Sequence, residues 1–212
     1  MDESAIHPFR QLIRGRISVE SFEPGCELSE EAIRELVEDA TEAPSSFNIQ
    51  HWRFVAVRHE EDKERLCRAA YGQRQVADSA VTFIILGDLH GVEHLPTVLE
   101  TAVQQGALDR GKADAWTRQA QKIYGDQRQA HDEAMRSCSL AAMTMMLAVE
   151  VRGLASCPLS GFDPAQVRRE FDVGERFVPV MLLAVGYPAK VDTTRKPRLD
   201  VDEVLSFDRS QF

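Results

Sequence analysis

The sequence predicts an α+β fold, on three observations. Ile33, Leu36, Val37 and Ala40 recur at the spacing of one buried helical face. Three short runs, 54–57, 81–87 and 178–186, are apolar and rich in β-branched or aromatic residues, as core strands are. Residues 140–149 are apolar nearly all the way round a helix, which predicts a segment covered on more than one side.

Each element follows in order. Residues 5–15 read as an opening helix with Phe9, Leu12 and Ile13 on one side. Ser29 can cap the second helix, Glu30 and Glu31 suit its positive end, and Pro44 closes it. The first strand is Phe54-Val55-Ala56-Val57. Glu60, Glu61 and Asp62 open a further helix that ends near Tyr71-Gly72. Residues 81–87 form a continuous apolar run, the signature of a strand buried on both faces. Residues 92–133 are polar and helical in composition, with breaks expected at Gly106, Gly111 and Gly125. Gly153 caps the apolar helix, Asp163 and Pro164 begin another, and Pro179 sits near the start of the last core strand, where a missing N–H is tolerable. The tail 201–212 mixes apolar and acidic residues without an obvious local partner.

The 212 residues suffice for a single domain over 1–212, and no linker divides them. A net charge of −9 argues against a nucleic-acid surface or an anionic membrane as partner, so any anion must be bound locally. Basic residues gather at Arg10, Arg14 and Arg16 and again at Lys190, Arg195, Lys196 and Arg198, which fits a pocket for one phosphate or two solvated faces. The four cysteines have no C-x-x-C spacing and no secretory signal precedes them, so reduced thiols and a cytoplasmic location are expected. No apolar run approaches the roughly 20 residues that span a bilayer, which predicts a soluble protein. His90 and His94 are four apart, but the Glu of a zinc-protease helix is missing, and no metal is expected.

The densest chemistry lies in Pro44-Ser45-Ser46-Phe47-Asn48-Ile49-Gln50-His51-Trp52, between a helix and a strand. Two hydroxyls, two carboxamides and an indole suit a planar, heteroatom-rich ligand, and would equally serve a turn that bonds its own backbone. With Arg16-Ile17-Ser18 near the start, and Gly186-Tyr187 followed by Lys196 and Arg198 near the end, this segment resembles the FMN-dependent nitroreductase family. The resemblance implies a three-layer α/β/α fold with a mostly antiparallel sheet, an intertwined homodimer with FMN at the seam, and a tail that joins the partner's sheet.

It also implies site residues. Arg14, Arg16, Lys196 and Arg198 would meet the flavin phosphate; Ser18, Pro44, Ser45, Ser46, Asn48 and Gln75 would contact the ribityl chain and ring; Pro158, Leu159, Ser160 and Gly161 would approach N5. The flavin carries hydride from NADH or NADPH to a small-molecule acceptor, a nitroaromatic or quinone, by a ping-pong scheme, and no side chain is assigned as catalytic. Glu20, His51 and Ser160 depart from the family pattern. They leave open other flavin chemistry, such as dehalogenation, flavin fragmentation or ring dehydrogenation, and a non-catalytic flavin- or nucleotide-binding dimer.

Overall fold

The computed structural model describes residues 7–189 and 195–210. In chain order its elements are α1 (Pro8–Gly15), α2 (Glu30–Thr41), β1 (Trp52–Val57), α3 (Glu60–Ala69), α4 (Arg74–Asp78), β2 (Val81–Asp88), α5 (Leu95–Gln104), α6 (Arg110–Tyr124), α7 (Gln127–Val151), β3 (Ala155–Leu159), α8 (Pro164–Glu170), β4 (Phe177–Gly186) and α9 (Val201–Val204). Single 3₁₀ turns occupy Ser46–Asn48 and Gly91–His94. Lys190, the first two residues of the expected opening helix and the last two of the tail lie outside the described residues.

Alternation along β2 sets the layers. Val81, Phe83 and Ile85 enter one core with Ile33, Leu36 and Ala40 of α2 and Ala141, Met145 and Val149 of α7. Ile84 and Leu86 enter the opposite core with Leu66 of α3, Val76 of α4 and Val167 of α8. A strand whose two faces both meet helices has no polar side, which is why the run reads as uninterrupted hydrophobe. The sheet order is β1-β2-β4-β3 with every pair antiparallel. Pro179 is tolerated in the central strand β4 because the register slips beside it, between Ile85 and Leu86, and β3 pairs only from Leu182 onward. This is the expected α+β arrangement of three layers around a mostly antiparallel sheet.

β3 was not anticipated, and Pro158 and Leu159 are strand residues; five residues that include Ser, Cys and Pro carry too short a pattern to read. Gly111 is not a break but the second residue of α6, which Asp109 starts by accepting from Lys112 N at 2.9 Å. A first-turn residue has no intrahelical bond for its N–H to lose. The opening helix forms with no buried residue, leaving Phe9 and Ile13 exposed. The apolar helix is far longer than expected, and by length and composition alone it could cross a membrane. Here it packs on α2 and the sheet along one face, carries the buried carboxylate of Glu133, and leaves Leu140 and Met143 exposed on the other.

Candidate functional site

The predicted site residues fall into two sets. The first gathers at the β3 edge of the sheet. Ser18 forms a parallel bridge with Ser156, and Val19 N donates to Ser156 O at 3.2 Å. The segment after residue 194 folds back on the end of α1, where Arg195 Nη1 donates to the carbonyls of Ile13, at 3.2 Å, and Arg14. Arg14, Arg16, Lys196 and Arg198 are thereby drawn to one corner. Cys157 lies within reach of these charges: burial pushes its thiol up, Lys196 and Arg16 pull it down, and Glu20 pushes it up. Glu20 is thus an acid among cations. Burial also raises the Glu150 carboxyl, against the pull of Arg16.

Two buried atoms in this corner have no hydrogen-bond partner among the described residues, Arg16 Nη1 and Ser156 Oγ. A buried donor left without an acceptor costs about 1–3 kcal/mol, more when charged. An anion seated there would supply what is missing, so the donor set fits a phosphate. Arg198 is more exposed, its Nη1 bonded to the carbonyls of Lys196 at 2.8 Å and Pro197 at 3.2 Å. Beyond β3, Gly161 O accepts from Gln73 Nε2 at 2.6 Å, and a Cβ on Gly161 would come within 3.3 Å of that nitrogen. Gln75, expected to contact the ribityl chain or ring, lies two residues on, half-buried in α4.

The second set is the turn before β1. Pro44 and Asn48 are exposed and Ser45 and Ser46 half-buried. Phe47, Asn48 and Gln50 have φ of 52°, 61° and 58°, left-handed values that cost a non-glycine residue roughly 1–2 kcal/mol each. Ser45 Oγ accepts from Gln50 N at 2.9 Å and Asn48 Oδ1 from Gln50 Nε2 at 3.3 Å, so the turn does bond its own backbone. Ser46 N donates to Glu133 Oε1 at 3.4 Å, and Tyr124 donates its hydroxyl to Ser46 Oγ at 2.7 Å.

A buried charge cluster anchors the end of this turn. Asp88 accepts from Arg176 Nε and Nη2 at 2.7 and 3.0 Å, Arg53 Nη2 at 3.3 Å and His90 N at 2.9 Å, and lies 3.1 Å from His94 Nε2. Burial pushes its carboxyl up, but these partners, Arg176 first, outweigh it and hold the pKa below the ordinary value. Arg53 also donates to the carbonyls of Gln50 at 3.1 Å and Trp52 at 2.7 Å. His94 Nε2 also lies 3.0 Å from Arg176 Nη2, and no group of three His, Cys, Asp or Glu among the described residues could hold a metal. His51 is fully buried, its Nδ1 2.8 Å from Asp88 O.

No hydrogen bond or ion pair among the described residues joins the two sets. β1 and β3 are the opposite edges of the sheet, three strand spacings or roughly 14 Å apart. Two open cavities, about 690 Å³ between α2 and β1 and about 710 Å³ beside Tyr124 and Arg176, are lined by none of the predicted residues.

The model of the family described as "Nitroreductase family" matches residues 13–187. The chain belongs to the nitroreductase family. It is accordingly an oxidoreductase. YodC of Bacillus subtilis, named as an NAD(P)H nitroreductase, is 35% identical over 179 residues, 84% of this chain and 89% of its own. A nitroreductase structure from the same organism, ydfN, superposes with a TM-score of 0.88 at 30% identity, covering 94% of this chain and 98% of that one. A nitroreductase from Exiguobacterium sibiricum, solved in complex with FMN, gives 0.88 at 27% identity, covering 96% and 99%.

Proposed function

We propose that this nitroreductase is a cytoplasmic, FMN-dependent enzyme that takes hydride from NADH or NADPH and delivers it to a nitroaromatic or quinone-type acceptor in two successive half-reactions. The whole chain would act as one domain, paired with a second copy. The observation that carries the reading is Arg16: a buried guanidinium nitrogen without an acceptor, beside an orphaned Ser156 hydroxyl, in a corner lined with cations on an acidic protein.

Bound FMN would supply a ring that accepts hydride from one partner and yields it to another. The chain's own residues would bind and orient it. Arg16 and Lys196, with Arg14 and Arg198 at the rim, would neutralise the phosphate, for which a guanidinium fork is well shaped. Ser18 would donate to the same end. Gly161 gives the approach to the ring a backbone without a side chain, steadied by Gln73. Ser45, Ser46 and Asn48 would complete the site from the second copy, which accounts for their place at the far edge of the sheet. No side chain need donate a proton, since solvent reaches products of this kind.

The test is direct. Purified protein should be yellow, should bleach under NADH or NADPH without oxygen, and should recover its colour with menadione or a nitrofuran. A colourless protein that takes up no added FMN would end this reading.

A further inference from the structure

Resting on the flavin reading above, we infer that Tyr124 is a positioning residue for FMN: its phenol, acting through Ser46, holds the Ser45–Gln50 turn in the left-handed form from which Ser45, Ser46 and Asn48 would meet the flavin.

The argument begins with Phe47. Asparagine visits the left-handed region readily, so Asn48 at φ 61° is unremarkable, but a bulky aromatic residue at φ 52° persists only where its surroundings over-determine it. The turn's internal bonds, from Asn48 N to Ser45 O, Ile49 N to Ser46 O, Gln50 N to Ser45 Oγ and Gln50 Nε2 to Asn48 Oδ1, close its backbone and do not touch the Phe47 ring. That ring is fixed from α6. Trp116 meets it edge-on at 5.9 Å and 76°, and Tyr124 at 6.4 Å and 78°. Tyr124 also packs edge-on against buried His51, at 6.1 Å, which limits where its own ring can go.

The phenol then reaches the residue before Phe47. Because Tyr124 donates to Ser46 Oγ, that hydroxyl must send its own proton elsewhere, and it becomes an oriented donor. The neighbouring amide, Ser46 N, is committed to Glu133, whose carboxylate is held by Ser137 Oγ at 2.9 Å and by Arg136. Ser46 thus has its backbone donor and one lone pair of its hydroxyl occupied from behind, by α7 and α6 respectively, and its carbonyl accepts from Ile49 N at 3.0 Å. What remains to it is the hydroxyl proton and a second lone pair, both on the side away from Tyr124.

The experiment measures FMN affinity, by quenching of flavin fluorescence on flavin-free protein, for wild type, Tyr124→Phe, Ser46→Ala, the double variant and Trp116→Phe. Tyr124→Phe should weaken FMN about 3- to 10-fold, the size of one net hydrogen bond, and should change the visible circular dichroism of bound flavin. In the Ser46→Ala background it should change neither. Trp116→Phe, which keeps an aromatic ring against Phe47 and touches no hydrogen bond of the turn, should lose less than Tyr124→Phe does. Equal affinity in wild type and Tyr124→Phe would overturn the inference and leave the flavin reading standing. So would the same loss in both Ser46 backgrounds, or an equal loss in Trp116→Phe. Wild-type protein that binds no FMN would overturn both.

Discussion

At the scale of single residues, the cationic corner sorts its members by what they already hold. Arg198 Nη1 has two backbone acceptors, whereas Arg16 Nη1 is buried with none. Arg16→Ala should therefore weaken FMN by roughly 1.5–3 kcal/mol, about 10- to 150-fold, and Arg198→Ala by less. Equilibrium titration of both variants checks this, and the reverse ranking would misplace the phosphate. His51 makes a different prediction. Burial lowers its pKa below the ordinary 6.5; Arg53 adds to the lowering, while the Asp88 carbonyl and the charges of Glu133 and Asp88 oppose it. The unfolded chain then takes up the proton first as pH falls. The contribution of the neutral ring is complete above about 6.5 and is lost as pH drops from there toward the depressed folded value. Urea midpoints measured from about pH 7 to pH 5 should fall, and less steeply in His51→Phe. Parallel slopes would assign the fall to other groups. Asp88 acts in the same direction at lower pH: its folded pKa lies below the ordinary value, so its stabilisation is lost only as pH falls through the acid range.

At the scale of elements, α7 approaches β2 closely. A Cβ on Gly87 would stand 2.9 Å from Ala134 Cβ and 3.2 and 3.4 Å from the side chains of Val178 and Val180. Gly87→Ala should destabilise by about 1–3 kcal/mol, seen as a lower denaturant midpoint at unchanged slope. An unchanged midpoint would mean the helix can lift from the sheet. Contacts of this kind were not legible in the sequence, where Gly87 only bounds an apolar run. Periodicity announced α2, β1, β2 and β4 because their burial is decided locally, residue by residue. It could not announce β3, whose five residues make a strand only because β4 lies beside them. The site divides along the same line. Arg-x-Ser, the 44–52 segment and the basic residues after Gly186-Tyr187 were readable as ordered motifs. The supports were not: Tyr124 and Glu133 reach Ser46 across 78 and 87 residues, and Arg176 reaches Asp88 across 88. Chain separations of that length leave no pattern in a single sequence.

At the scale of the whole molecule, one chain leaves a number of large apolar side chains uncovered. Phe9 and Ile13 on α1, Leu140 and Met143 on α7, and Leu199, Val201, Val204, Leu205 and Phe207 in the tail are all exposed. Scattered apolar residues are ordinary on a surface, but a tail bearing five of them in nine positions, organised by an Asp200–Glu203 capping box, has the composition of a segment that is covered. A single chain also offers a complementary place. The groove of about 690 Å³ between α2 and the edge strand β1 is floored by Ile33, Val37, Phe54, Ala56 and Phe83 and rimmed by charges of both signs, Glu30, Glu38, Arg34 and Arg58 among them. An edge strand has unpaired backbone groups and this groove has an apolar floor, so under the proposed pairing it is the place for the apolar tail of a second copy. The two halves of the proposed flavin site, on opposite sheet edges of one chain, call for the same pairing. Removing residues 199–212 while keeping Arg198 should then do two things at once. In sedimentation, the dimer expected of the full chain should dissociate at higher protein concentration, and FMN should wash out more readily although every proposed phosphate contact is still present. A truncated protein that remains a full-strength dimer and keeps its flavin would place the tail outside the interface. One that remains a dimer but loses flavin would tie the tail to the flavin site itself.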